Sequence, residues 1–199
     1  IVLLISFFIG AVICIQMKVN VESPWMPKFV VGYATREVLL LEFSSSIMCL
    51  ILAGKVGSNI TSEIGTMRVT QQIDEIMGVN SASFLILPKI TALMLIIPIL
   101  VVFSIAAGTA GAYAIGDFTG IITPEDLTIG MQYEFDQWYI WNSIIKAIVF
   151  AFIITSVSSF YGYRVTGGSG EVGKASTSAV VSSSVLILFA DIILTHILI

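Results

Sequence analysis

Long apolar runs separated by short polar stretches set the pattern of this chain. Runs with little or no charge cover about residues 1–17, 38–54, 90–116, 147–163 and 175–199. At 1.5 Å per residue, each approaches or exceeds the length that crosses a hydrocarbon core about 30 Å thick. The pattern predicts an all-α membrane protein, a single transmembrane domain over 1–199 with five transmembrane helices. Ile1 to Met17 spans only about 25 Å, and the chain opens inside this run without an initiator Met. Further residues are therefore expected before Ile1, the fragment being N-terminally truncated. Pro98 is expected to kink the third helix.

The second and third runs enclose a stretch of different character. Residues 53–78, AGKVGSNITSEIGTMRVTQQIDEIMG, are polar but helix-prone. Within them Ile60, Ile64 and Met67, then Ile73, Ile76 and Met77, recur at helical spacing. Gly65 and Gly78 mark possible breaks, and Gly78 a stop. The expectation is short amphipathic helices lying on the membrane, in an extramembrane segment covering 55–89. As a plain connector such helices rest on lipid; as a functional element they dock a partner. The segment is too short to be an enzyme domain by itself.

Composition agrees with the pattern. Hydrophobic residues make up 57% and charged residues 11% of the chain, and mean hydropathy is +1.01, against about 25% charged residues in soluble domains. The net charge of −4 and the scattered Lys and Arg leave no basic face for nucleic acid. Cys14 and Cys49 both lie in apolar runs, where a thiol acts as a small hydrophobe, and no Cys/His cluster has metal-ligand spacing.

The nine Lys and Arg divide five to four across the membrane. Lys55, Arg68, Lys89, Arg164 and Lys174 lie on one side, Lys18, Lys28, Arg36 and Lys146 on the other. On this slight excess the 53–89 and 161–175 segments are placed in the cytoplasm. Asp117 to Asp136 carries five acids and no base on the opposite side. Trp25, Trp138, Tyr139 and Trp141 fall there too, as an interfacial aromatic belt. Asn59-Ile60-Thr61 matches a glycosylation acceptor but falls on the cytoplasmic side.

GSGEVGK at Gly168 to Lys174 matches part of a phosphate-binding loop. That motif needs a preceding strand and a Ser or Thr after the Lys; here a membrane span precedes and Ala175 follows. A glycine-rich turn that lets two helices pack closely is the expectation. Charges inside spans cost on the order of 3 kcal/mol, so each is a functional candidate. Glu42, Lys146 and Asp191 qualify, as a polar cluster facing a shared cavity or as groups that pair to hold helices together. His196 reads as interfacial rather than as a ligand.

AGKVGSNITSEIGTMRVTQQID, then MGVN at 77–80 and Leu87-Pro88-Lys89, resembles the signature of the MlaE/YrbE permease family of ABC lipid transporters. Lys146 with Phe150, the GGSGEVGKASTSAVV stretch from Gly167, and Asp191-Ile192-Ile193-Leu194-Thr195 resemble its later segments, so nearly the whole chain is covered. Glu42 matches the acid of the family's Glu-Leu-Gly-Pro stretch, with Phe43-Ser44-Ser45 in place of Leu-Gly-Pro. Between Gln72 and Met77 the chain is about two residues shorter than the family pattern.

The resemblance implies a homodimeric, multi-pass permease of the bacterial inner membrane that moves phospholipid or a related lipid between inner and outer membranes. The implied partners are a cytoplasmic ABC ATPase, a periplasmic MCE-domain protein, a STAS-domain protein and a second copy of the chain. The permease itself would hold no cofactor and hydrolyse nothing, ATP and Mg being bound by the partner ATPase. Glu63, Arg68, Gln72 and Asp74 would then serve ATPase coupling, and Glu42, Lys146 and Asp191 the polar part of the lipid cavity. Two rivals remain open from the residues: an ion- or proton-coupled carrier using Glu42 and Asp191, and a structural scaffold.

Overall fold

The computed structural model describes residues 2–21, 25–75, 81–120 and 122–198, the side chains of 74, 75 and 81–83 excepted. Ile1, Ile76, Met77 and Gly78, and with them the expected stop at Gly78, lie outside these residues. Every regular element described is helical: α1 Val2–Val21, α2 Phe29–Val69, α3 Gln72–Glu75, α4 Ser81–Thr119, α5 Pro124–Gln132, α6 Trp138–Tyr163 and α7 Ser169–Leu198. Five of them, α1, α2, α4, α6 and α7, are long and apolar enough to cross a membrane. The chain is a multi-pass membrane protein.

Two helices exceed what a bilayer requires. α2 runs for 41 residues, about 60 Å at the α-helical rise, so a large part of it lies beyond a 30 Å core. It changes winding twice, being π-helical at Leu39–Ile47 and again at Ala53–Gly57. α4 runs for 39 residues with Pro88 and Pro98 inside it. The chain divides into two compact units, Ile1–Met48 with Ile99–Ile145, and Cys49–Pro98 with Lys146–Ile199.

In the first unit, small residues let helices approach. On α1, Ser6 and Gly10 are one turn apart; on α4, Ser104 and Gly108 repeat the spacing, followed by Gly111. A Cβ at Gly10 would overlap the Gly108 carbonyl, and one at Gly111 the carbonyl of Phe7. The hydroxyls of Ser6 and Ser104 meet at 2.8 Å. Without a hydrophobic force between helices in lipid, such backbone contact and interhelical hydrogen bonding drive association.

The acid-rich 117–136 stretch folds as α5, capped by Thr123, whose hydroxyl accepts from the Asp126 N–H, with Pro124 in the first turn. Gly130 and Gly32 seat α5 against the start of α2. Leu127 and Ile122 join Cys14, Val31 and Ala112 in a buried cluster. Arg36, only 3% exposed, clamps the junction. It donates to the carbonyls of Met131 (3.0 Å) and Tyr133 (2.7 Å) and pairs with Glu37 at 2.7 Å. Its guanidinium also lies over the rings of Tyr33 and Phe135. Arg36→Ala orphans two carbonyls and removes the ion pair, so a loss of about 2–3 kcal/mol is expected. Limited proteolysis in detergent should then cut first within 124–136, with α1 still intact.

In the second unit, the last part of α2 departs from the expected surface helices. Ser58–Val69 continues the span as one helix and is packed on α6 and α7. The Thr61 hydroxyl donates to the Ser158 carbonyl at 3.0 Å, and Gly162 presses on Thr61 and Ile64. Gly65 is not a break. A Cβ there would come within 3.2 Å of Val165 and Val172, so this glycine serves packing and the helix runs through it. The helix ends at Thr70, followed by Gln71 with φ 60°, a left-handed terminating residue of the kind usually supplied by glycine.

The glycines of GSGEVGK also differ from expectation. Gly168, Gly170 and Gly173 would meet nothing within 4 Å if given a Cβ, because they lie on the open side of the first turns of α7, whose contact with Gly65 is made by the buried Val172. Close helix packing in this unit comes instead from Gly57, Gly65 and Gly162. The motif itself lies at the beginning of a helix, with no strand among the described residues. The phosphate-loop context is missing.

Candidate functional site

Lys146 and Asp191 come together in the second unit. Lys146, on α6, is fully buried. Its Nζ lies 3.0 Å from Asp191 Oδ1 and donates to the Thr195 hydroxyl at 2.6 Å. Asp191 and Thr195 are one turn apart on α7, so they present both partners on one helix face. The Asp191 side chain is 14% exposed. Burial of a charge in an apolar run is sustained only by pairing and hydrogen bonding, and this triad supplies both.

Glu42 belongs to the first unit, in the π-helical part of α2, and is half-buried. Around it the helix carries Ser44, Ser45 and Ser46, all buried. The Ser45 hydroxyl reaches back to the Leu41 carbonyl at 3.5 Å, whereas those of Ser44 and Ser46 have no partner among the described residues. α6 contributes Ser143, which donates to the Leu40 carbonyl, and Asn142, 1% exposed with both amide atoms unsatisfied. Buried unpaired polar groups are uncommon and call for an explanation, and π-turns recur at functional sites. Asn142 and the serines were not singled out from the sequence. An Asn and a serine triplet inside apolar runs were the available signals.

The four residues considered for coupling take different positions. Glu63 is exposed and ion-paired with Lys89 of α4 at 2.5 Å. Arg68 lies 5.6 Å over the Tyr163 ring. Gln72 is exposed at the start of α3, beside Thr66, Thr70 and Gln71, which are exposed too. Asp74 falls in α3, and its side chain is outside the described residues. The result is a polar ridge running from the end of α2 into α3, anchored beneath by Ile60, Ile64 and Ile73.

No group of three or more His, Cys, Asp or Glu that could hold a metal ion occurs among the described residues. What the arrangement offers is a buried charged triad, a polar π-helical stretch in a span, and a supported polar ridge.

The family model for Permease MlaE matches residues 1–197. The chain belongs to the MlaE permease family. Its relatives include a probable ABC transporter permease protein of Rickettsia bellii, 35% identical over 98% of this chain and 76% of the relative. The intermembrane phospholipid transport system permease protein MlaE of Haemophilus influenzae is 32% identical over 100% and 77%. The chloroplastic protein TRIGALACTOSYLDIACYLGLYCEROL 1 of Arabidopsis thaliana is 32% identical over 97% of this chain and 55% of its own length. The MlaE match runs through all five membrane-length helices, so it includes the triad, the π-helical stretch and the ridge.

Proposed function

We propose that the chain is the permease subunit of an ABC transporter that moves phospholipid or a related lipid between the inner and outer membranes of a bacterium. The observation that carries this is the family match over residues 1–197, joined by a relative named for intermembrane phospholipid transport that aligns over the whole chain. In this proposal the protein sits in the inner membrane as a homodimer. A separate cytoplasmic ATPase binds ATP and Mg and drives it, a periplasmic MCE-domain protein exchanges lipid with it, and a STAS-domain protein joins the assembly.

The ridge at the end of α2 is the proposed coupling element. Two-state coupling requires a physical element that both sites bias. A helix continuous with a span, and packed by Thr61 and Gly162 onto α6, would carry movement at its tip into the membrane. Glu63, Arg68, Gln72 and Asp74 are the proposed contacts. Glu42, with Lys146 and Asp191, is proposed to shape the polar part of the lipid path.

The test is lipid transfer between vesicles by the reconstituted transporter. Replacing Arg68 and Asp74 together by Ala should leave the chain folded and reduce ATP-driven transfer by tenfold or more, about 1.4 kcal/mol or above of coupling. Unchanged transfer would remove the ridge from the coupling role. A buried ion pair inside a span is also an arrangement used by ion-coupled carriers. That reading predicts transfer without any ATPase, abolished when the proton gradient is collapsed.

A further inference from the structure

The second unit contains an apolar groove, of about 300 Å³, between the early turns of α4 and the end of α6. Ile86 and Ile90 form one wall; Ser159, Phe160, Tyr163 and Arg164 form the other. Three observations bear on its occupant. The Ser159 hydroxyl, on a residue 1% exposed, has no hydrogen-bond partner among the described residues. The Arg164 side chain is exposed, its guanidinium 4.5 Å over the Phe160 ring, and no carboxylate among the described residues pairs with it. Of the neighbouring cations, Lys89 is neutralised by Glu63 and Arg68 lies over the Tyr163 ring. The mouth of the groove therefore carries the positive charge of Arg164 above an apolar floor.

Depth in the bilayer follows from helix length. α6 has 26 residues, about 39 Å, more than the 30 Å hydrocarbon core, so Tyr163 and Arg164 reach the level of lipid headgroups. Basic pockets between membrane helices suit anionic headgroups, and guanidinium matches phosphate by paired hydrogen bonds. The groove is also remote from the charged triad. Tyr163 is about 25 Å along α6 from Lys146.

We propose that this groove is a binding site for an anionic glycerophospholipid of the surrounding bilayer. One acyl chain lies against Ile86, Ile90 and Phe160. The phosphodiester is held by Arg164, and Ser159 donates its hydroxyl to an ester or phosphate oxygen below. The site is separate from the proposed transport path and does not depend on it.

The experiment uses the whole chain in phosphatidylcholine nanodiscs containing a trace of phosphatidylglycerol with a diazirine in one acyl chain. After illumination, mass spectrometry maps the labelled peptides. Labelling should concentrate on the Ile86–Ile90 and Phe160 peptides, and diazirine phosphatidylcholine at the same level should label them far less. Arg164→Gln, at an exposed position, should cut capture about tenfold, equivalent to about 1.4 kcal/mol, whereas Arg164→Lys should keep much of it. Ile90→Trp, which fills the groove and leaves the charge alone, should abolish labelling there. The proposal is overturned by equal labelling from both lipids or by capture indifferent to Arg164→Gln and Ile90→Trp. Crosslinks showing a second copy of the chain seated in the groove would overturn it as well.

Discussion

Lys146→Ala should destabilise the folded chain by about 3–5 kcal/mol, the range seen when one partner of a buried ion pair is removed. The amine is fully buried and holds both Asp191 and Thr195, so truncation leaves a carboxylate in an apolar setting without its counter-charge. Thermal unfolding in detergent, followed by fluorescence or by loss of monodisperse protein, measures it. Asp191→Asn should cost less, because Lys146 keeps its hydrogen bond to Thr195 while the charge of its partner is lost. The double variant Lys146→Met with Asp191→Leu separates stability from function. Replacing a whole buried pair by apolar side chains of similar volume is often neutral or stabilising, so the double variant should melt near the parent. In the proposed transport role it should still fail in lipid transfer. Full transfer by a stable double variant would leave the pair only the task of holding α6 to α7.

How much of this was legible in the sequence depends on the kind of signal. Five membrane helices followed from run length alone, because hydrophobicity over some twenty residues is a local property. Lys146 and Asp191 were marked as costly for the same reason. Pairing among the charged groups was one of the two readings the residues offered, but which of them pair, and the part of Thr195, were not legible, since neither the register of α7 on α6 nor the side-chain directions are written locally. Residues 58–69 show the opposite error. Their apolar positions do recur at helical spacing, but polarity suggested a lipid surface, whereas Thr61, Gly65 and Gly162 create a protein surface for them. Polar residues of small volume read as solvent-facing in a pattern and behave as close-packing residues in a membrane protein. The glycines after Tyr163 mislead too, for Gly168, Gly170 and Gly173 face open space while the buried Val172 beside them makes the contact with Gly65. The π-helical stretch around Glu42 had no hydropathy signature at all, and only the serine triplet hinted at it.

The helix crossing in the first unit should be the second most sensitive place. Gly10→Val or Gly111→Val puts a side chain where a backbone carbonyl of the opposing helix already lies, Gly108 in the first case and Phe7 in the second. Neither obstacle is a flexible side-chain end, so relief requires α1 and α4 to separate. Separation breaks the hydrogen bond between Ser6 and Ser104. Each substitution should cost about 3 kcal/mol or more, the upper range for overpacking, seen as a lowered melting temperature and as rapid proteolysis of α1. Gly173→Ala is the matched control, since its Cβ meets nothing and alanine favours the helix by up to about 1 kcal/mol. It should melt at or above the parent. The two valines share one contact line, so combining them should cost less than the sum of the single losses, because the first separation already removes what the second would break. An additive result would mean that Gly10 and Gly111 pack independently, and that α1 is held at two points rather than along one seam.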